Sequence, residues 1–121
     1  MTSILTSIKK LLGIPEDHTE FDADIIIHIN TVLMVLNQIG IGPPDGFTID
    51  DDNATWEDLL GEDNKKFEII KTYVYSKVKL LFDPPISGSA MTALEKQITE
   101  FEWRLYVEAE EFVREEEDSD E

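Results

Sequence analysis

The chain has 121 residues, no cysteine, 41% hydrophobic and 31% charged residues, and a formal net charge of −17 from 27 acidic against 10 basic side chains. That length supports one domain around one core. The missing thiols exclude a disulfide framework, a zinc ribbon and a cysteine nucleophile, and an intracellular setting is expected. The summed field disfavours binding a nucleic-acid polyanion by phosphate neutralisation. The opening MTSILTSIKKLLG lacks the basic head, apolar run and small-residue cleavage site of a signal peptide, and no apolar run approaches membrane-spanning length, so a soluble protein is expected.

Ser3 is placed to cap a first helix in which Ile4, Leu5, Ile8, Leu11 and Leu12 share a face, ended by Gly13 and Pro15. A second helix is predicted from Asp22, whose carboxylate suits the helix dipole as does that of Asp24, to Gly40. Its stripe is Ile25, Ile29, Val32, Leu33, Leu36 and Ile39, with Ile27 and Met34 on the opposite side. Local propensity also permits a strand over DIIIHI, but the longer helical period outweighs it. Residues 41–54 form a long proline-containing loop in which FTI alternates as an extended piece would. Two readings of Phe47 and Ile49 stand together: they tuck into the subunit's own core, or they form an arm reaching a neighbour. Thr55 followed by WED is a capping-box variant with Asp58, starting a short helix that Gly61 stops.

Asn64 is expected to open the next helix, with a main stripe of Phe67, Ile70, Val74, Val78 and Leu81. Ile69, Tyr73 and Leu80 form a second stripe, and Tyr75 and Phe82 a third patch. A helix apolar around so much of its circumference is predicted to be central. The stretch KLLFDPP then ends it: Pro84 and Pro85 forbid continuation, Asp83 is available to turn amides, and the chain reverses through ISGSA into a helical hairpin. Ser89 is expected to cap the last helix, with Met91, Leu94, Ile98, Phe101, Leu105, Ala109 and Phe112 on one side and Trp103 and Val107 on the other. From Glu115 onward EEEDSDE holds no apolar residue and repels itself. The expected organisation is one helical domain over residues 1–114 and an acidic tail over 115–121. Its fold class is all-α, a small bundle of about four to five helices with a long central helix, a C-terminal hairpin and a long proline-containing loop.

No catalytic constellation is apparent. His18 and His28 have no HExxH spacing, no glycine-rich phosphate loop is present, and the abundant carboxylates carry no sign of a poised pair. Asp51, Asn53, Thr55 and Glu62 fall at positions 1, 3, 5 and 12 of an EF-hand register, but Trp56 stands at the position that needs glycine. No metal or other cofactor is therefore expected. Of the acids, 21 lie in residues 16–24, 45–63 and 110–121, so they mark helix starts, a loop and a tail. The unexplained side chains are apolar ones on the outer faces: Ile27, Met34, Tyr75, Phe82, Trp103 and Val107. Second stripes on several helices point to contacts between copies; helix crossings within one subunit are the simpler alternative.

Several stretches together, IKKLLGIPEDHTEFDADIIIHIN, NQIGIGPPDGFTI, TWEDLL, KTYVYSKVKLLFDPP and EFEWRL, resemble the head-to-tail connector family of long-tailed double-stranded DNA bacteriophages, in the family's order from about Ile4 to Leu105. The resemblance implies a non-enzymatic helical subunit of a ring on the portal vertex, extending the DNA channel. The duplex would pass without sequence-specific binding. The implied partners are further copies, the portal protein, and the next head-completion or tail protein. The implied location is the head-tail junction of the virion, reached from the host cytoplasm during assembly, with no membrane involved. Phe112, Val113, Arg114, Glu115 and Glu116 become docking candidates for the portal or an adjoining ring, against a merely solvated tail. The chain departs from the family at His18, where an acid is expected, and in its extended acidic end from Glu108. A reading of another class, an acidic DNA mimic or regulator that binds a basic protein, calls for acids along one continuous face, whereas here they cluster at turns and the tail.

Overall fold

A computed structural model describes residues 3–61 and 67–119, with side chains described as far as Val107. It is all-helical among those residues: α1 (Ile4–Leu12), α2 (Asp22–Ile39), α3 (Trp56–Leu60), α4 (Phe67–Phe82) and α5 (Gly88–Ser119). The expected opening of α4 at Asn64 lies outside the described residues.

The capping chemistry read from the sequence sets the first helix. Ser3 Oγ accepts from the Thr6 amide at 3.2 Å, and Gly13 closes α1 in the left-handed region at φ 82. Ile4, Leu5 and Ile8 enter the core, whereas Leu11 is exposed because the last turn runs out to the surface with Lys10. Lys9, in the same turn, is buried. Its Nζ donates to the Glu16 carbonyl at 3.0 Å and lies 2.8 Å from Asp22 Oδ1, joining the end of α1 to the start of α2. Asp22 Oδ1 has no hydrogen-bond partner despite that distance. The Lys9 ammonium supplies the charge that balances this buried oxygen.

Residues 41–55 lie against the bundle through side chains of two helices. Asn30 on α2 donates from Nδ2 to the Ile49 carbonyl at 3.0 Å and accepts the Ile49 amide on Oδ1 at 2.8 Å. One α-helical heptad later, Asn37 donates to the Pro43 carbonyl at 2.9 Å. The FTI segment forms no strand; its backbone pairs with this side-chain amide instead of with a neighbouring strand. Farther on, Ser3 and Thr55 form an isolated antiparallel bridge, and the Ile4 amide donates to the Ala54 carbonyl at 2.9 Å. The buried Trp56 donates from Nε1 to Ser7 Oγ at 3.1 Å, and that hydroxyl donates to the Ser3 carbonyl at 2.7 Å. Thr55 and Asp58 form the predicted capping box of α3. Gly42 sits at φ 91, in the left-handed region that favours glycine, and a Cβ there would also press on the tip of the Leu59 side chain at 2.9 Å.

As predicted, α4 is central: it packs against α1, α2 and α5 and buries Ile70, Tyr73, Val74, Ser76 and Val78. After the proline turn the cap of α5 is Ser87 rather than Ser89. The Ala90 amide reaches Ser87 Oγ at 3.4 Å and the Met91 amide donates to the Ser87 carbonyl at 2.9 Å, so the helix begins two residues earlier than its serines suggested. Ile98 and Leu105 of α5 enter the core, and Glu102 takes hydrogen bonds from Tyr73 Oη at 3.3 Å and Lys77 Nζ at 3.1 Å. No helix end separates residue 114 from 115, since α5 continues to Ser119. With Glu102 opposite Tyr73, α5 draws level with Phe67 near residue 108, leaving about three turns alongside no described residue of α4.

Two expectations follow from these polar contacts. Asn30→Ala removes both hydrogen bonds to Ile49, and urea denaturation should show a stability loss of about 1–3 kcal/mol with faster amide exchange at residues 47–50; a loss below about 0.5 kcal/mol refutes the pinning role. Tyr73 is held above the ordinary tyrosine value of 10.0, first by burial, then by the Glu102 charge and the hydrogen bond to it. The folded state keeps a proton that the unfolded chain releases, so this contribution is complete below pH 10.0 and declines as pH rises above it. Tyr73→Phe should flatten the alkaline fall in stability, and an unchanged slope would contradict the assignment.

Candidate functional site

The apolar residues on outer faces divide into those spent on the subunit's own core and those left over. Ile49 is buried beside α2, fixed by Asn30, and Phe47 is half-buried against the core. Tyr75 and Phe82 are likewise half-buried against it. Ile27 and Met34 remain 61% and 57% exposed on the outer side of α2, and Trp103 is 67% exposed on the outer side of α5. Val107 is half-buried. Phe112, Val113, Arg114, Glu115 and Glu116 fall within the span of α5, and their side chains lie outside the described set.

Four surfaces result. On α2, Ile27 and Met34 stand seven residues apart with the exposed Thr31 between them. On α5, Tyr106 lies three residues after Trp103, and both rings are mostly exposed. At the hairpin end Phe82 meets the partly exposed Phe21 edge-on at 5.7 Å and His28 at 6.2 Å, near the exposed Leu81 and Ile86. The fourth is an open groove between α4 and α5, flanked by Tyr75 and Lys79 on one side and Ala90 and Ala93 on the other.

Asp83 serves the turn differently from expectation. Its own amide donates to the Lys79 carbonyl at 2.8 Å and its carboxylate lies 3.6 Å from Lys79 Nζ, so the side chain faces an ammonium rather than turn amides. Pro84 is exposed and Pro85 half-buried. Leu11 and Leu81, which the sequence reading put on apolar stripes facing the core, are exposed, Leu81 because α4 ends one residue later at the proline turn; Phe21, Ile86 and Tyr106 are exposed apolar residues that it did not single out. Tyr106 was accessible to it, one helical turn beyond Trp103; Ile86, between Pro85 and Ser87, sits in no periodic element that could reveal its direction.

The acidic loop takes no metal-like form among the described residues. Asp51 accepts the Asn53 amide on one oxygen and the Asn53 side chain on the other, both at 2.9 Å, and Thr55 is committed to its cap. No cluster of three or more potential metal ligands occurs among the described residues, and no described helix is long and apolar enough to cross a membrane. The arrangement suits contact with other macromolecules: helix faces carry large exposed apolar side chains outside a separate core of buried residues.

Comparison with curated proteins and with solved structures gave no match. A family model described as phage connector protein matches residues 4–112, from the first residue of α1 to the span of α5 beyond the core. That match takes in α1 to α4, most of α5 and both polar pins of the loop, and the chain belongs to the phage connector protein family.

Proposed function

We propose that the chain is a subunit of an oligomeric adaptor ring between the portal vertex of a phage head and its tail. Membership of the family makes it a phage connector protein, a virion component that associates with other virion proteins. In the finer reading, the ring continues the DNA channel, offers a surface to the next head-completion or tail protein, and acts without catalysis or cofactor. The subunit joins the head-tail junction from the host cytoplasm during assembly.

The observation that carries this reading is the family match over residues 4–112 in a subunit whose helices keep large apolar side chains outside the core. Such side chains gain about 25 cal/mol for each Å² of apolar surface removed from water, so association is where they become stabilising. A ring also multiplies the charge of −17 carried by each chain. Where acids face the channel, their field repels DNA phosphates and lets the duplex slide without adhering. The end of α5 supports docking to the portal, because it brings Phe112 and Val113 within a dense acidic run that complements a basic surface.

Electron microscopy of the protein mixed with its portal should show added ring density at the vertex; a protein that never joins the portal complex would sink the reading. A monomer in isolation is compatible with it, because the portal template supplies the mass action for assembly. Removing residues 115–121 should weaken portal binding at least about tenfold, roughly 1.4 kcal/mol. Unchanged binding would mark the segment as a solvated extension.

A further inference from the structure

Resting on the ring reading above, we propose that neighbouring copies pack head to tail, with the α2 ridge of one copy seated in the α4–α5 groove of the next. The groove has a volume of ≈ 360 Å³. One wall is Thr72, Tyr75 and Lys79, and the other is Ala90, Ala93 and Gln97. Each wall spans seven residues, about 10 Å of helix, and the alanines leave the second wall shallow. The ridge formed by Ile27 and Met34 also spans seven residues, so its two knobs match the groove in length.

The two surfaces face different ways. Ile27 and Met34 lie on the side of α2 opposite its buried Ile25, Ile29, Val32, Leu33 and Leu36. Thr72, Tyr75 and Lys79 lie on the side of α4 opposite Ile70, Tyr73 and Val74. α2 and α4 pack together, and the ridge and the groove each lie on the side of their helix turned away from its buried residues, so the two surfaces open on different flanks of the bundle. A heterologous contact between different flanks propagates around an axis, which is the geometry a ring requires.

Charge selects a second copy as the occupant. Residues 11–63 contain 13 acids and neither lysine nor arginine, and α2 itself carries only Asp22 and Asp24. By contrast α4 carries Lys71, Lys77 and Lys79 against a single Glu68. Lys77 is engaged by Glu102 within the subunit. Lys79, on the groove wall, donates to the Asp83 carbonyl at 3.3 Å and lies 3.6 Å from the exposed Asp83 carboxylate, and Lys71 lies over the Phe67 ring at 5.7 Å. The exposed Asp24, three residues before Ile27, and Lys79 on the groove wall bear opposite charges that complement each other between copies.

The chain has no cysteine, so engineered thiols report the contact without background. Thr31 is the midpoint of the ridge and Ala93 that of the second wall, and both are exposed, so a link between them is insensitive to the direction in which the ridge lies. The double variant Thr31→Cys/Ala93→Cys, assembled on portal and treated with a short thiol-reactive cross-linker, should give a ladder of covalent multimers on a denaturing gel; each single variant should give none. Portal-bound rings without a ladder, or dimers from Thr31→Cys alone, would overturn this pairing while leaving the ring reading intact. Absence of wild-type rings on portal would overturn both. Met34→Glu gives an independent readout at an exposed position: helicity and thermal unfolding should be preserved and ring density lost, and undiminished rings would refute the proposal.

Discussion

The fold depends on the need to cover α4. A helix with apolar side chains in three patches around its axis cannot remain at a surface, and burial of Ile70, Tyr73, Val74 and Val78 requires helices on several sides. α1, α2 and α5 supply that cover, and their own stripes are consumed in doing so. The remaining architecture is a consequence. α5 must return along α4, so the chain has to reverse between Phe82 and Gly88, and the two prolines make that reversal abrupt. α2 must lie alongside the same helix, which leaves Ile27 and Met34 on its outer face mostly exposed.

Apolar burial does not by itself decide where the irregular segments go, and here polar contacts do. The long segment between α2 and α3 has few apolar residues, yet its course is fixed where Asn30 mimics a strand neighbour for Ile49 and Asn37 receives the Pro43 carbonyl. Ser7 acts in the same way from α1, accepting the Trp56 indole while its own proton goes to the Ser3 carbonyl. Lys9 and Asp22 join the first two helices through charge held largely out of water. Removing either partner would leave an uncompensated ion, so the pair enforces one arrangement even where its net contribution to stability is small.

This division explains what was legible in the sequence. The stripes of α2 and α4, the caps Ser3, Thr55 and Gly40, and the hairpin at Pro84 and Pro85 are local, periodic or steric, and each has a one-dimensional signature. The pins are not: Asn30 meets Ile49 across 19 residues and Trp56 meets Ser7 across 49, and neither pairing follows from spacing. The displaced cap has a similar origin. Ser87 and Ser89 are equivalent as residue types, and only the exit direction of the proline turn selects the earlier one. For the candidate surfaces, the sequence identified Ile27, Met34 and Trp103 as excluded from a stripe. The groove between α4 and α5 is a property of two helices at once, and Ala90 and Ala93 attract no notice singly.

Rigidity connects these features to assembly. In a head-to-tail ring every contact is the same contact repeated, so an angular error at one interface accumulates around the circle and prevents closure. A subunit with flexible faces would populate many angles and spread its association over open chains. The ridge on α2 is a continuous helix backed by five buried residues, and the groove is formed by two helices whose relative angle is set by a short proline turn and by Glu102 held between Tyr73 and Lys77. The contacts that hold the monomer together are therefore the ones that fix the angle between its two flanks. If copies pack by these two surfaces, the paired prolines and the Glu102 contacts would serve closure of a ring as well as stability of the subunit.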